Sequence, residues 1–190
     1  MSLFCLIGPF IRLWMGESFL FPMSTVILIT VNFYTFGMRK SITMVKNSAG
    51  LYRPDRYFAL IETALNLGLA LLFVDKFGLN GVIIANILSS FFIPFWTQPY
   101  VVYKNIFNRS VVSYYKKSVV YAVITLISCI LTYYLCSLFY LSGFLKLIIN
   151  AFICLIVPNG INIFIFYKTE EFQYLFGIIK NMFEQFRMRK

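Results

Sequence analysis

Glu62 is the only acidic residue inside the otherwise apolar run Tyr57–Val74. At 1.5 Å per residue it lies about 7 Å from the start of that run. Asn66 follows one helical turn deeper on the same face. A carboxylate inside a membrane span is costly to keep charged, so it ordinarily meets a partner or a water-filled path. Two readings stand. Glu62 lines a substrate path, or it sits near the interface, reaches water and pairs with a loop cation. Arg53 and Arg56, just before the run, have the chemistry to meet a diphosphate, because a guanidinium binds phosphate oxygens bidentately. The same cations serve equally well in a loop that only fixes topology.

Other polar residues suit structure better than catalysis. Gly81, Ala85 and Ser89 repeat every fourth residue, a stripe that lets a neighbouring helix approach closely, with Asn86 beside it. Pro158 removes a backbone donor and Gly160 loosens the same turn, so a kink is expected there, in a moving or a static helix. Cys5, Cys129, Cys136 and Cys154 lie in or beside apolar runs without metal-ligand spacing, and read as small apolar fillers. Histidine is absent, the acidic residues are scattered, and no nucleophile elbow, phosphate loop or dinucleotide fingerprint occurs. No catalytic residue, metal site or cofactor is expected.

The elements that must position these residues are membrane helices. Of 190 residues, 60% are hydrophobic and 13% charged, against roughly 25% charged in a soluble domain. The apolar residues gather in blocks near the ~20 residues that cross a hydrocarbon layer. Five spans are expected: Phe19–Met38, Tyr57–Val74, Gly81–Tyr103 (interrupted by Pro94 and Pro99), Ser118–Tyr140 and Leu147–Tyr167. Residues 1–18 read as the remnant of a preceding helix and an outer loop, 19–167 as the membrane bundle, and 168–190 as a cytoplasmic basic tail. Arg39–Arg56, which mixes cations with Ile42, Val45 and Ala49, either lies along the inner surface against anionic lipid or is a solvated loop.

The net charge of +10 sits between the spans, as loop cations do, rather than as a patch for nucleic acid. Fourteen of the 17 cations fall in Arg39–Arg56, Lys104–Lys117 and Lys168–Lys190, while Arg12, Lys76 and Lys146 fall on the other side. Positive charge stays inside, so the C-terminus is expected in the cytoplasm and the N-terminus outside. Asn108-Arg109-Ser110 matches a glycosylation acceptor but falls on the inner side.

From Phe10 to Phe107, about half the chain, an ordered set of short motifs carries a family resemblance. It begins with Phe10-Ile11-Arg12-Leu13-Trp14-Met15-Gly16, Asn32-Phe33-Tyr34 and Gly37-Met38-Arg39. It continues with Gly50-Leu51-Tyr52, Asp55-Arg56-Tyr57, Ile61-Glu62 and Leu65-Asn66-Leu67. It ends with Lys76-Phe77-Gly78-Leu79-Asn80-Gly81-Val82 and Phe95-Trp96-Thr97-Gln98-Pro99-Tyr100. The set resembles the Wzx-type polysaccharide-biosynthesis flippases of the multidrug/oligosaccharidyl-lipid/polysaccharide exporter superfamily. Gln98 stands where an acid is expected before the proline.

The resemblance implies the C-terminal part of a two-bundle, alternating-access exporter with a partly cationic cavity. It implies a bacterial inner membrane and, as substrate, undecaprenyl-diphosphate-linked repeat units for capsule or O-antigen. The implied partners are that lipid-linked oligosaccharide, membrane lipids, and the first half of the bundle or other polysaccharide-assembly proteins. A membrane polymerase is the enzymatic alternative, although the expected outer connections are short for one. An auxiliary subunit docking through the Gly81–Ser89 stripe is the other.

Overall fold

The computed structural model describes residues 1–54, 56–138 and 143–188, and their regular structure is helical. In chain order the elements are α1 (Ser2–Trp14), a 3-10 turn (Glu17–Phe19), α2 (Met23–Ser48) and α3 (Arg56–Phe77). There follow α4 (Leu79–Phe92), α5 (Pro94–Val102), a π-helical turn (Tyr103–Phe107), α6 (Val112–Leu138), α7 (Gly143–Phe166) and α8 (Glu170–Met188). Asp55, Arg189, Lys190 and the expected end of the fourth span at Tyr140 lie outside the described residues.

Among the described residues, four helical stretches are long and apolar enough to cross a membrane: Arg56–Phe77, Leu79–Phe107, Val112–Leu138 and Gly143–Phe166. The protein is an all-α membrane protein with four such stretches, not the five expected. The difference lies in α2. Its 26 residues make about 39 Å of helix, which is length enough. Asn32, Arg39, Lys40, Lys46 and its threonines, however, dilute its apolar character. Several of these polar groups face other helices: Thr25 and Lys46 are buried, and Asn32, Arg39 and Thr43 half-buried.

The same helix corrects the reading of Arg39–Arg56 as a surface segment or loop. Helix α2 continues to Ser48, because nothing from Arg39 to Ser48 breaks it, and the turn follows at Gly50 (φ +67°). A second correction concerns Lys104–Lys117. The π turn carries the helix to Phe107, Asn108 closes it in the left-handed region (φ 48°), and Lys116 and Lys117 already belong to α6. Most of the 168–190 tail is the amphipathic helix α8, with apolar residues at three- and four-residue spacing from Phe172 onward. Residues 1–18 hold a 13-residue helix.

Prolines divide the third expected span unequally. The helix ends at Ile93 and restarts with Pro94, which lacks an N–H and suits a first turn. Pro99 lies inside α5 without ending it. Helix α7 likewise runs unbroken through buried Pro158 and exposed Gly160.

Packing sorts the helices into two groups. Helices α3 and α4 form the tightest pair, joined only by Gly78, whose backbone (φ 54°, ψ −130°) suits a residue without Cβ. A Cβ at Gly81 would fall 2.3 Å from the Phe73 carbonyl oxygen, so two backbones meet there. Ala85 and Ser89 continue that buried stripe. Helices α2 and α5 complete this group, while α1, α6 and α7 pack together as the second. One end of the molecule gathers the cation-bearing connections. Pro54 and Phe58 share a cavity wall with Lys104 and Val111, and Glu171 of α8 lies 3.6 Å from Lys117. Arg12 and Lys146 line a cavity at the opposite end.

Candidate functional site: a polar ladder beside an aromatic cavity

Thr25, Asn32, Arg39 and Lys46 recur every seven residues along α2, a spacing that keeps them on one face. Three of them, with Thr43, meet polar side chains of α3, α4 and α5 in successive layers. At the far end, the Thr25 hydroxyl donates to Asn80 Oδ1 at 2.8 Å. In the middle, Asn86 Nδ2 donates to Asn32 Oδ1 at 3.4 Å, and Asn66 Nδ2 donates to Asn86 Oδ1 at 3.1 Å and to Ser89 Oγ at 3.0 Å. At the cation-rich end, both terminal nitrogens of Arg39 donate to the two carboxylate oxygens of Glu62, Nη2 to Oε2 at 2.8 Å. The Arg39 Nε donates to Gln98 Oε1 at 3.3 Å, and Thr43 donates to the same oxygen at 3.0 Å.

These layers connect helices that have no hydrophobic reason to associate inside lipid. Each interhelical hydrogen bond there contributes about 0.6 kcal/mol on average and up to about 2. The Arg39–Glu62 fork contributes more. Both side chains are largely withdrawn from solvent, at 27% and 18% exposure, and an unpaired charge at such depth is expensive. Gln98, almost fully buried, serves as a neutral acceptor. A second acid there would leave two carboxylates sharing one guanidinium, so the neutral Gln98 suits this pair.

The Arg39–Gln98 layer opens on a cavity of ≈ 370 Å³ between the α2–α5 group and α6. Arg39 and Gln98 line it, along with Tyr34, Phe95, Trp96 and Tyr115. Its aromatic wall is cohesive, with ring centroids 5.2 Å apart for Phe95–Trp96 and 5.0 Å for Trp96–Tyr115. A backbone defect explains how Tyr115 is held. Pro99 has no N–H for the carbonyl four residues earlier, Phe95, and the Tyr115 hydroxyl donates to that oxygen at 3.3 Å. Tyr115 and Trp96 also border a second cavity of ≈ 650 Å³ that reaches Lys104.

Of the residues singled out from sequence, the structure brings Glu62, Asn66 and Ser89 into the ladder. Gly81 and Ala85 sit on the α3–α4 seam. Arg53 and Arg56 are exposed outside the ladder, with Arg56 stacked on Tyr57 at 4.5 Å and donating to its hydroxyl. The cation on Glu62 is Arg39, which the sequence placed in the basic stretch after the first expected span. Pro158 and Gly160 lie in α7, in the other helix group. Sequence reasoning passed over Arg39, Gln98 and Tyr115 as site residues. The seven-residue repeat on α2 was the available signal for Arg39, and the missing donor of Pro99 for Tyr115.

The cysteines also gather. Cys5, Cys136 and Cys154, one each from α1, α6 and α7, are buried with their sulfur atoms all within 4.8 Å of one another. Cys129, on α6, stays outside the group.

No family model, curated protein or solved structure matches this chain.

Proposed function

We propose that this chain is part of a transporter that passes undecaprenyl-diphosphate-linked oligosaccharide units across the bacterial inner membrane for surface-polysaccharide assembly. One observation carries the reading: a charge pair held between helices, Arg39 with Glu62, stands at the wall of a cavity with an aromatic side. A static bundle needs no charge at that depth, and keeping one there is costly. Beside a cavity the pair has a use. An arriving diphosphate competes with Glu62 for the Arg39 guanidinium, since both ligands fit its planar fork. The released carboxylate takes a proton or turns to the ladder, and the departure of the substrate restores the pair. The aromatic wall suits a prenyl chain or the apolar faces of sugar rings.

The orientation belongs to the same proposal. The end holding Ala49–Pro54, Asn108–Val111 and the start of α8 faces the cytoplasm, because cations concentrate there. Among the alternatives, an auxiliary subunit docking through Gly81, Ala85 and Ser89 loses its surface, since α3 covers that stripe.

The test is export in cells that depend on this protein. Glu62→Gln and Arg39→Gln are each expected to lower surface polysaccharide and to leave lipid-linked units on the inner leaflet, with the chain still inserted. Unchanged export by both variants rejects the charge-exchange reading. Reporter activity outside the cell from a fusion within Asn108–Val111 rejects the orientation.

A further inference from the structure

Cys5, Cys136 and Cys154 come from three different helices and are far apart in sequence, yet their sulfur atoms converge to within 4.8 Å. Each is 5–7% exposed, and Phe4, Leu6 and Ile153 pack around them. Among the described residues this is the one place where three potential metal-ligating side chains meet. Three sulfurs around one cation at a bond length of about 2.3 Å stand about 4 Å apart in a planar triangle. The trio therefore has to contract by less than about 1 Å to reach that geometry.

Two further features mark the level of the trio. Pro9 lies four residues after Cys5, and Pro158 lies four residues after Cys154. A proline has no N–H, so the Cys5 and Cys154 carbonyls lack their usual helical donor. Both helices are thus loosened where sulfur has to adjust. A cavity of ≈ 700 Å³ between α1 and the start of α7 is lined by Gly8 and Pro9, one turn beyond Cys5.

We propose that Cys5, Cys136 and Cys154 form a binding site for one soft, thiophilic monovalent cation of the Cu(I) class. Sulfur ligands select soft cations, and a dry apolar surround offers nothing to a hard, hydrated one. The binding step moves no electrons. Each thiolate ligand forms one metal–sulfur bond and its S–H proton passes to water; a single thiolate neutralises the monovalent cation, so the site releases at least one proton per cation. The bound cation clamps α1 onto α6 and α7. The proposal is independent of the transport reading.

The test uses the full chain purified in detergent, titrated anaerobically with Cu(I) against a colorimetric Cu(I) chelator. The expected result is one Cu(I) retained per chain, with X-ray absorption showing sulfur neighbours at about 2.3 Å. Cys129→Ser leaves this unchanged, while Cys136→Ser and Cys154→Ser each weaken it by about tenfold or more. Replacement of all three by alanine, which keeps small apolar fillers, abolishes it at unchanged helix content. If the triple variant does not fold, Cys154→Ser alone decides. Failure of the native chain to compete with the chelator overturns the proposal, and so does retention that survives loss of Cys154 or depends on Cys129.

Discussion

At the scale of the residue, the chain's chemistry reduces to how few charges it carries between its helices and how completely they are matched. Arg39 uses all three guanidinium nitrogens, two on Glu62 and one on Gln98. Removing one partner of such a pair strands the other, at a cost of about 3–5 kcal/mol, whereas removing both is close to neutral. Arg39→Met and Glu62→Leu are therefore each expected to destabilise the protein by about that amount, and the double substitution to recover most of it. Unfolding in a graded detergent titration measures all four species. The exchanged pair, Arg39→Glu with Glu62→Arg, separates stability from function. It keeps an ion pair yet moves the cation to α3, so stability is expected to return and polysaccharide export is not. Full recovery of export would reduce the pair to a structural role.

At the scale of the element, close approach and backbone defects explain why particular residues are where they are. Gly81→Ala places a methyl group 2.3 Å from the Phe73 carbonyl oxygen, which forces α3 and α4 apart and is expected to cost about 1–3 kcal/mol. Gly68, on the exposed side of α3 with nothing within 4 Å, is the control. There alanine is expected to be neutral or stabilising by up to about 1 kcal/mol, because it restricts the unfolded chain. Pro99 and Tyr115 form a second pairing of cause and remedy. Tyr115→Phe leaves the Phe95 carbonyl without its donor and is expected to cost about 1 kcal/mol. Pro99→Ala restores the helical N–H and is expected to make Tyr115→Phe nearly silent, which a double-mutant cycle reads directly. At the membrane surface, α8 rests partly on Glu171, fully exposed, whose carboxyl is held below its usual 4.5 by its own backbone N–H and then by Lys117. A lowered carboxyl pKa contributes above its unfolded value and is lost as pH falls through the folded one. The distance between spin labels on α6 and α8 is expected to hold at neutral pH and to lengthen as pH falls below the ordinary carboxylate range.

At the scale of the whole molecule, hydropathy revealed the helices and the cation distribution revealed their common end, because both are one-dimensional properties of the chain. The three-dimensional pairings were less legible. Glu62 announced itself as a lone acid in an apolar run, but its partner Arg39 looked like the first residue of a loop. The helix there ends only when a glycine is reached. Cys5, Cys136 and Cys154 gave no spacing signal at all, since they belong to three separate helices. Their convergence follows from how α1 fits against α6 and α7. That same grouping leaves the cavity at Arg39 between two sets of helices, which meet beside it through Tyr115 of α6 against Phe95 and Trp96 of α5. Met38 of α2 and Val119 of α6 line the cavity from opposite groups. If the groups move relative to each other during transport, a bond across the gap must stop them, whereas one within a group must not. A dithiol crosslink between Met38→Cys and Val119→Cys, in a background with the native cysteines replaced by alanine, is expected to abolish polysaccharide export. Reductant is expected to restore it. A crosslink within the first group, between Thr25→Cys of α2 and Asn80→Cys of α4, whose side chains lie 2.8 Å apart, is expected to leave export intact. Export undiminished by the first crosslink means that the two groups work as one rigid body, and the cavity then has to fill and empty without their relative motion.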